Sequence, residues 1–436
     1  MNASKRKLVW PALLIFVVAL VAGSYAMGRN KVSPMDMLRR AIAPEDSSAV
    51  AVAMHNRCGT LGGDAKTKCY SSGLDSMATR GEVRMAMVTL ARLSVLDGDA
   101  GRNGHVFAHG IGMAAGRGGG DIARMFSQCD ESNQSGCYHG VLQSYLTAAK
   151  KLGPAEVNAA CQSFRGPKAD RWILFQCVHG MGHGLTMYYG HDVPRALQDC
   201  DYLTGGWDKR SCYAGVFMEN IVNAQMPKNM SHGDGHEGMH MEGAAPGRVS
   251  KWKALDSTDL LYPCSIMKSQ YLGACYEMQT AAILFLNHGN IQAAAKTCDT
   301  APAAMRLVCY QSLGRDISAF ALQDHAKATE MCALGTPKYQ PWCYFGLVKS
   351  FVNMNARADD GLTYCKGLKG EANKLKCYEA VGEQIGTLRN ENTERAALCE
   401  PSEPAYRPAC LFGARVTTLR PPGLDTIDIA GALTPG

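Results

Sequence analysis

Asn290 to Phe320 reads NIQAAAKTCDTAPAAMRLVCYQSLGRDISAF. Ile291 to Cys298 is Ala-rich and helix-favouring, and Asp299 to Pro302 has turn composition. Pro302 stands where it can open a second helix, whose Leu307, Tyr310, Leu313 and Ile317 recur at helical spacing. The stretch is therefore a helical hairpin with one cysteine at the end of its first helix and another about two turns into its second.

The hairpin recurs. The second cysteines Cys275, Cys309, Cys343, Cys377 and Cys410 are separated by 34, 34, 34 and 33 residues, a period that marks stacked helical hairpins. All eighteen cysteines fall into nine consecutive pairs: Cys58/Cys69, Cys129/Cys137, Cys161/Cys177, Cys200/Cys212, Cys264/Cys275, Cys298/Cys309, Cys332/Cys343, Cys365/Cys377 and Cys399/Cys410. In an exported chain this arithmetic predicts neighbour-to-neighbour disulfides. Zinc ribbons would need Cys-x2-Cys knuckles, and the chain has none. One unit lacks its staple, since Gly104-His105-Val106-Phe107-Ala108-His109 aligns with Gln176-Cys177-Val178-His179 when Phe107 takes the place of the cysteine. Small residues often stand three positions after the second cysteine, as at Gly140, Gly180, Gly215, Gly346 and Gly413, where they would let neighbouring helices approach closely.

In period and hairpin pattern, residues 45–414 resemble tetratricopeptide and Sel1-like repeats, although the tetratricopeptide signature residues are missing. The resemblance implies an all-α, right-handed solenoid of about ten helix-turn-helix repeats of roughly 34 residues, here stapled by disulfides. It implies architecture and no activity.

At the N-terminus Lys5-Arg6-Lys7 precedes an apolar run from Leu8 to Gly23, followed by Ser24-Tyr25-Ala26. This reads as either a signal anchor or a cleaved signal over residues 1–27, with a linker at 28–44. Either sends the body of the protein out of the cytoplasm, to the periplasm or cell envelope, with the membrane as partner through the N-terminal segment. The expected order beyond it is His-bearing repeats at 45–221, a Met/His-rich insertion at 222–262, His-poor repeats at 263–414 and an unstructured tail at 415–436. With 45 basic and 39 acidic residues spread along 436, no basic stripe points to nucleic acid. A hydrophobic fraction of 46% against 19% charged excludes wholesale disorder.

With the units aligned on the second cysteine, His109, His139 and His179 occupy the same position in three successive repeats. Four residues on stand Met113, Gln143 and His183, and in the next repeat Ala214 is followed by Met218. Positions i and i+4 share a helix face, and His105 adds one turn before His109. His-x3-His pairs can offer two nitrogens to one ion. We therefore expect a transition-metal site from His105, His109, His139, His179 and His183, with copper favoured, then iron or zinc, and with Met218 as a candidate sulfur ligand. Because helix axes lie about 8–10 Å apart, one or two centres are expected in preference to a single five-histidine site. Glu219 is the candidate carboxylate, either behind a ligand or as an acid/base if the centre is catalytic. The insertion adds His232, His236 and His240 among Met226, Met230, Met239 and Met241, as a loop able to cover the face or pass metal to it.

Each histidine taken singly also fits an ordinary core role, hydrogen-bonded to backbone. The alternative function is a metal-free scaffold binding a peptide, a glycan or an envelope protein partner on its concave face. Noncovalent haem held by histidines of two helices stays open, whereas no Cys-x-x-Cys-His run exists for covalent haem. Whether the protein is an enzyme is not decided at this level. His55, His191, His288 and His325 lie off the shared face and are expected in surface or capping roles.

Overall fold

A computed structural model of the chain describes residues 46–117, 120–166, 169–225 and 250–424, and every regular element among them is helical. From Ala51 onward the described residues belong to one compact unit, which holds every hairpin apart from the opening helical residues 46–50. The helices of the first half are α1 (Asp46–Cys58), α2 (Gly63–Thr79), α3 (Val83–Leu96), α4 (Gly98–Arg102), α5 (Gly104–Gly116), α6 (Ile122–Phe126), α7 (Gly136–Thr147), α8 (Pro154–Ala160), α9 (Arg171–Tyr188), α10 (Val193–Cys200) and α11 (Gly206–Gln225). The second half continues with α12 (Ser269–Tyr276), α13 (Gln279–Leu286), α14 (Ile291–Thr300), α15 (Ala303–Phe320), α16 (His325–Cys332), α17 (Gln340–Asn355), α18 (Ala358–Gly367), α19 (Glu371–Leu388), α20 (Asn392–Cys399) and α21 (Arg407–Gly413).

Local sequence explains where these helices begin. Asn290 caps α14 by accepting the amide of Ala293, and Asp170 caps α9 by accepting those of Trp172 and Ile173. Pro302 ends the turn and serves as the N-cap of α15, while α14 runs two residues beyond Cys298, to Thr300.

All nine expected disulfides are present, with Cα separations of 5.5–5.8 Å, and no cysteine is free. Each joins the first helix or turn of a hairpin to its second helix, and every cysteine but one is buried. The exception is Cys69, which pairs with Cys58 as expected but is only half-buried, so this staple does not share the core placement of the other eight. Cys69 belongs to the first hairpin of the described residues, beside the exposed Lys68 and the half-buried Lys66 and Thr67, and among the described residues no earlier second helix packs over it. Phe107, in the unit without a staple, fills the vacant position as a core residue at 3% exposure, edge-on to Tyr70. An oxidising, extracytoplasmic or secreted environment follows from this framework.

The second helices lie one against the next, α5 on α7, α7 on α9 and α9 on α11, then α15 on α17, α17 on α19 and α19 on α21. Glycines set how closely they approach. A Cβ on Gly112 would collide with the carbonyl oxygen of Cys137, and one on Gly140 with that of His109. The same reciprocal pair recurs as Gly182 on Cys212 and Gly215 on His179. The glycine three positions after the cysteine was legible as a packing device. Its partner at position five, as in Gly182 and Gly314, completes the crossing.

The second half also returns to the first, for Asn390 donates its amide to the carbonyl of Ala169 over 2.6 Å and α9 contacts α19. The first part of the expected tail is not loose in the structure: Leu424 is completely buried, and a Cβ on Gly423 would lie 3.0 Å from Leu375. The N-terminal segment 1–45, residues 226–249 of the insertion and 425–436 lie outside the described residues. Among the described residues no helix is long and apolar enough to cross a membrane.

Candidate metal centre

Four of the five candidate histidines are buried: His109 is 7% exposed, His139 3%, His179 5% and His183 0%, while His105 is half-buried. They come from α5, α7 and α9, whose glycine-mediated approach lets imidazoles from three helices meet. Ring centroids of His109 and His183 are 5.0 Å apart, those of His139 and His179 4.9 Å, and those of His109 and His139 5.2 Å. Ligand atoms of His105, His109 and His139 fall within 4.8 Å of one another, as do those of His139, His179 and His183. The two triads therefore share His139. One or two centres were expected from helix axes about 8–10 Å apart, and the two triads are joined through His139 into one cluster.

Groups behind the rings decide which nitrogen faces inward. Glu219, on α11 and 1% exposed, is a carboxylate that can only accept. It takes the Gln143 amide at 2.9 Å and His183 Nδ1 at 2.8 Å. With its NH2 group given to Glu219, Gln143 presents Oε1 to His109 Nδ1 at 2.9 Å, so His109 must donate there. His105 Nδ1 donates to the carbonyl oxygen of Asn133 at 2.8 Å, and His139 Nε2 to Gln176 Oε1 at 2.8 Å. What remains on each ring is a lone pair: Nε2 of His105, His109 and His183, and Nδ1 of His139. That last atom is buried with no hydrogen-bond partner.

Two of these lone pairs, on His105 and His109, are aimed at each other, and that of His183 faces His179. His105 Nε2 and His109 Nε2 are 3.1 Å apart, and His183 Nε2 and His179 Nε2 3.3 Å. Burial pulls His105 down to about 4 and His183 to about 3. Burial first, and then neighbouring imidazoles, hold His109, His139 and His179 well below the ordinary histidine value. At neutral pH the rings are neutral, so His105 and His109, whose N–H groups both point outward, have no proton between their facing nitrogens, whereas His179 is free to donate from Nε2 to His183. Two imidazole nitrogens bound to one ion at about 2.0–2.1 Å stand about 3.3 Å apart in tetrahedral geometry, which is the separation found here.

A cavity of about 470 Å³ opens on the cluster, lined by His105, His139 and His179, with His109 and His183 set behind them. Met218 lines the same cavity, and Met113 is a buried residue of α5. His232, His236 and His240 fall in the part of the insertion outside the described residues. Of the remaining histidines, His55 bonds Tyr70 through Nδ1, His325 packs between Phe351 and Tyr364, and His191 and His288 occupy positive-φ turn positions.

Gln143 and Gln176 were not singled out from the sequence as ring-orienting residues. Gln143 did stand at the position that His183 holds in the next repeat, and Gln176 immediately precedes Cys177, but nothing local identifies either as a partner of a histidine. No protein-family model, curated protein or solved structure matches the chain.

Proposed function

We propose that this protein is an extracytoplasmic metalloprotein whose five-histidine cluster binds a transition ion, with copper the first choice and then zinc or iron. The observation that carries this reading is the convergence of five imidazoles, four of which, His105, His109, His139 and His183, have one nitrogen committed to Asn133, Gln143, Gln176 and Glu219 and the other left as an inward lone pair. A core arranged only for packing has no use for lone pairs directed at one another, whereas a cation turns that repulsion into binding. Imidazole donors suit copper, zinc, iron and nickel, and copper stands highest in intrinsic affinity for such donors.

In this reading the hairpins stack as a solenoid of about ten repeats, and the N-terminal apolar segment carries the chain to or across the cytoplasmic membrane. The scaffold makes the cluster rigid, since each ligand-bearing helix except α5 is stapled to its own hairpin. His105, His139 and His179 would meet an incoming ligand from the cavity, and His109 and His183 would hold the ion from behind. Glu219 serves as the carboxylate that orients His183 directly and His109 through Gln143.

Elemental analysis of natively exported protein tests the proposal. About one or two equivalents of a transition metal are expected per chain, with a clear drop in His179→Ala/His183→Ala at unchanged helicity. Sub-stoichiometric metal in the wild type at every attempt, unchanged by the double substitution, would overturn it.

A further inference from the structure

The cavity that reaches the histidines carries a second feature at its other end. Its lining includes six Lys or Arg side chains and two carboxylates, a net of +4 with the histidines neutral. One of the carboxylates, Glu277, is already engaged by Arg210. Three of the cations, Arg171, Arg395 and Arg415, line the cavity together, and burial, then the neighbouring guanidiniums, pull Arg171 and Arg395 below the ordinary arginine value. They come from distant parts of the chain, brought together where Asn390 bonds Ala169.

Arg395 and Arg171 are each held in place by uncharged groups, although Glu391 also attracts Arg395. Arg395 is fixed through Nε to the carbonyl of Arg389 and through a terminal nitrogen to that of Ala414. The Arg171 guanidinium lies 4.5 Å over the Trp207 ring, and its Nε is buried with no hydrogen-bond partner. Asp208 also attracts Arg171, but its carboxylate is taken by Arg165. Like charges gathered in a partly desolvated cavity are costly unless an anion completes them, and guanidinium forks match carboxylate and phosphate oxygens in geometry.

Between this cluster and the metal centre runs an aromatic wall. Arg171, Phe175, His179 and His183 follow at intervals of four along α9, so they share one slowly turning face. Phe175 stacks on His179 at 5.7 Å and on Trp172 at 5.6 Å, and packs against Trp207 at 6.0 Å. Eight residues of helix set the Arg171 and His179 backbones about 12 Å apart. A cavity of about 470 Å³ is of the size that takes small-molecule ligands.

We propose that this cavity binds a small organic anion whose carboxylate or phosphonate group is held by Arg171, Arg395 and Arg415, whose planar body lies on Phe175 and Trp207, and whose other end reaches His139 and His179. The inference rests on the metal reading only for what that far end meets, which makes the bound anion the substrate or carried ligand of the metal centre. Anion capture itself needs no metal.

The experiment uses the full chain stripped of metal by chelator. Tryptophan fluorescence and calorimetry follow titration with terephthalate, with 4-phosphonobenzoate and with uncharged benzamide. The two dianions should bind at least about tenfold more tightly than benzamide, the better one naming the anionic group, and Arg171→Gln/Arg415→Gln should weaken them at least about tenfold. Arg171→Lys/Arg415→Lys, which keeps the charge, should retain part of the binding and serves as the second variant if the glutamine pair does not fold. Arg80→Gln, on an exposed helix end, should change nothing. Benzamide binding as tightly as the dianions, no binding of either dianion, or dianion binding unaffected by the glutamine pair would each overturn the proposal. The two readings fail separately: His179→Ala/His183→Ala should lose metal and keep dianion binding, and the arginine variants should keep metal.

Discussion

Gln143 donates its amide to Glu219 across 2.9 Å, between residues 76 apart in sequence, and by doing so fixes which nitrogen His109 turns inward. The carboxylate thus orients two histidines of different helices, His183 directly and His109 through the amide. Glu219 accepts both bonds on one oxygen, which the amide oxygen of Glu219→Gln can replace, whereas Glu219→Leu removes both at once. In Glu219→Leu metal affinity should fall about 10–100-fold at unchanged helicity, the range seen when partners behind metal-bound histidines are removed. Gln143→Leu should do the same with less effect on His183. Competition against a chelator of known affinity measures both, and unaltered affinity in Glu219→Leu would show that these bonds do not set the ligands.

The glycine crossings make a sharper mechanical prediction. A methyl group on Gly182 would meet the carbonyl oxygen of Cys212, backbone that cannot swing aside, so α9 and α11 must separate. Gly182→Ala should cost roughly 1–3 kcal/mol, the scale of overpacking a tight core, and lower metal affinity with it, since His183 sits next to Gly182 and leans on Glu219 of α11. Gly273, inside α12, has nothing within 4 Å of its missing Cβ. Gly273→Ala should therefore stabilise by roughly 0.5–1 kcal/mol through helix propensity alone. Thermal melts of the two variants decide whether close approach, rather than glycine as such, is what the crossing requires.

The disulfides lend themselves to a separate test. Cys298 and Cys309 close a loop with a sequence separation of 11, their Cα atoms 5.5 Å apart and both side chains fully buried. Replacing the pair with alanine should cost roughly 2–3 kcal/mol, mostly through the freed unfolded chain. A thiol titration of denatured protein should find close to none before reduction and all eighteen after it.

Acid should act on the first hairpins through Asp97, which is 8% exposed. Burial raises its pKa, but the Asp99 amide at 2.8 Å, the Tyr70 hydroxyl at 3.0 Å and Lys66 at 3.2 Å together outweigh burial and hold it below the ordinary aspartate value. A carboxyl depressed in the folded state stabilises above its unfolded value and loses that contribution as pH falls through the folded one. Asp97→Asn should cost roughly 1–2 kcal/mol at pH 7. It should also flatten the drop in melting temperature that the wild type shows below the unfolded aspartate value of about 3.9. Parallel pH dependences for the two proteins would remove Asp97 from the acid response.

Hairpins and staples could be read from the chain because their signals are local and repeated. A cysteine every 34 residues and a proline before the second helix need no tertiary knowledge, and Phe107 could be recognised as a cysteine replacement because its neighbours stayed in register. The histidine face was legible for the same reason. Its partners were not, since whether Gln143 is a filler or an orienting amide depends on Glu219, which only folding brings near. The arginine cluster was the least visible part: Arg171, Arg395 and Arg415 carry no common spacing and line one cavity only because α19 and Asn390 return to α9 and to Ala169 ahead of it.

His139 belongs to both triads, and this gives the cluster an asymmetry that titration can expose. Its Nε2 is spent on Gln176, so one nitrogen, Nδ1, is left for an ion. Removing His105 damages only the triad formed with His109 and leaves His139, His179 and His183 intact. Removing His139 damages both and strands Gln176 Oε1 as well. His105→Ala should therefore retain about one equivalent of tightly held metal, while His139→Ala should weaken every equivalent by about tenfold or more. Stepwise metal titration followed by mass spectrometry under native conditions distinguishes the two. If His139→Ala retained as much metal as His105→Ala, the ion would have to be held by His179 and His183 with Glu219, and the shared position of His139 would be a matter of packing only.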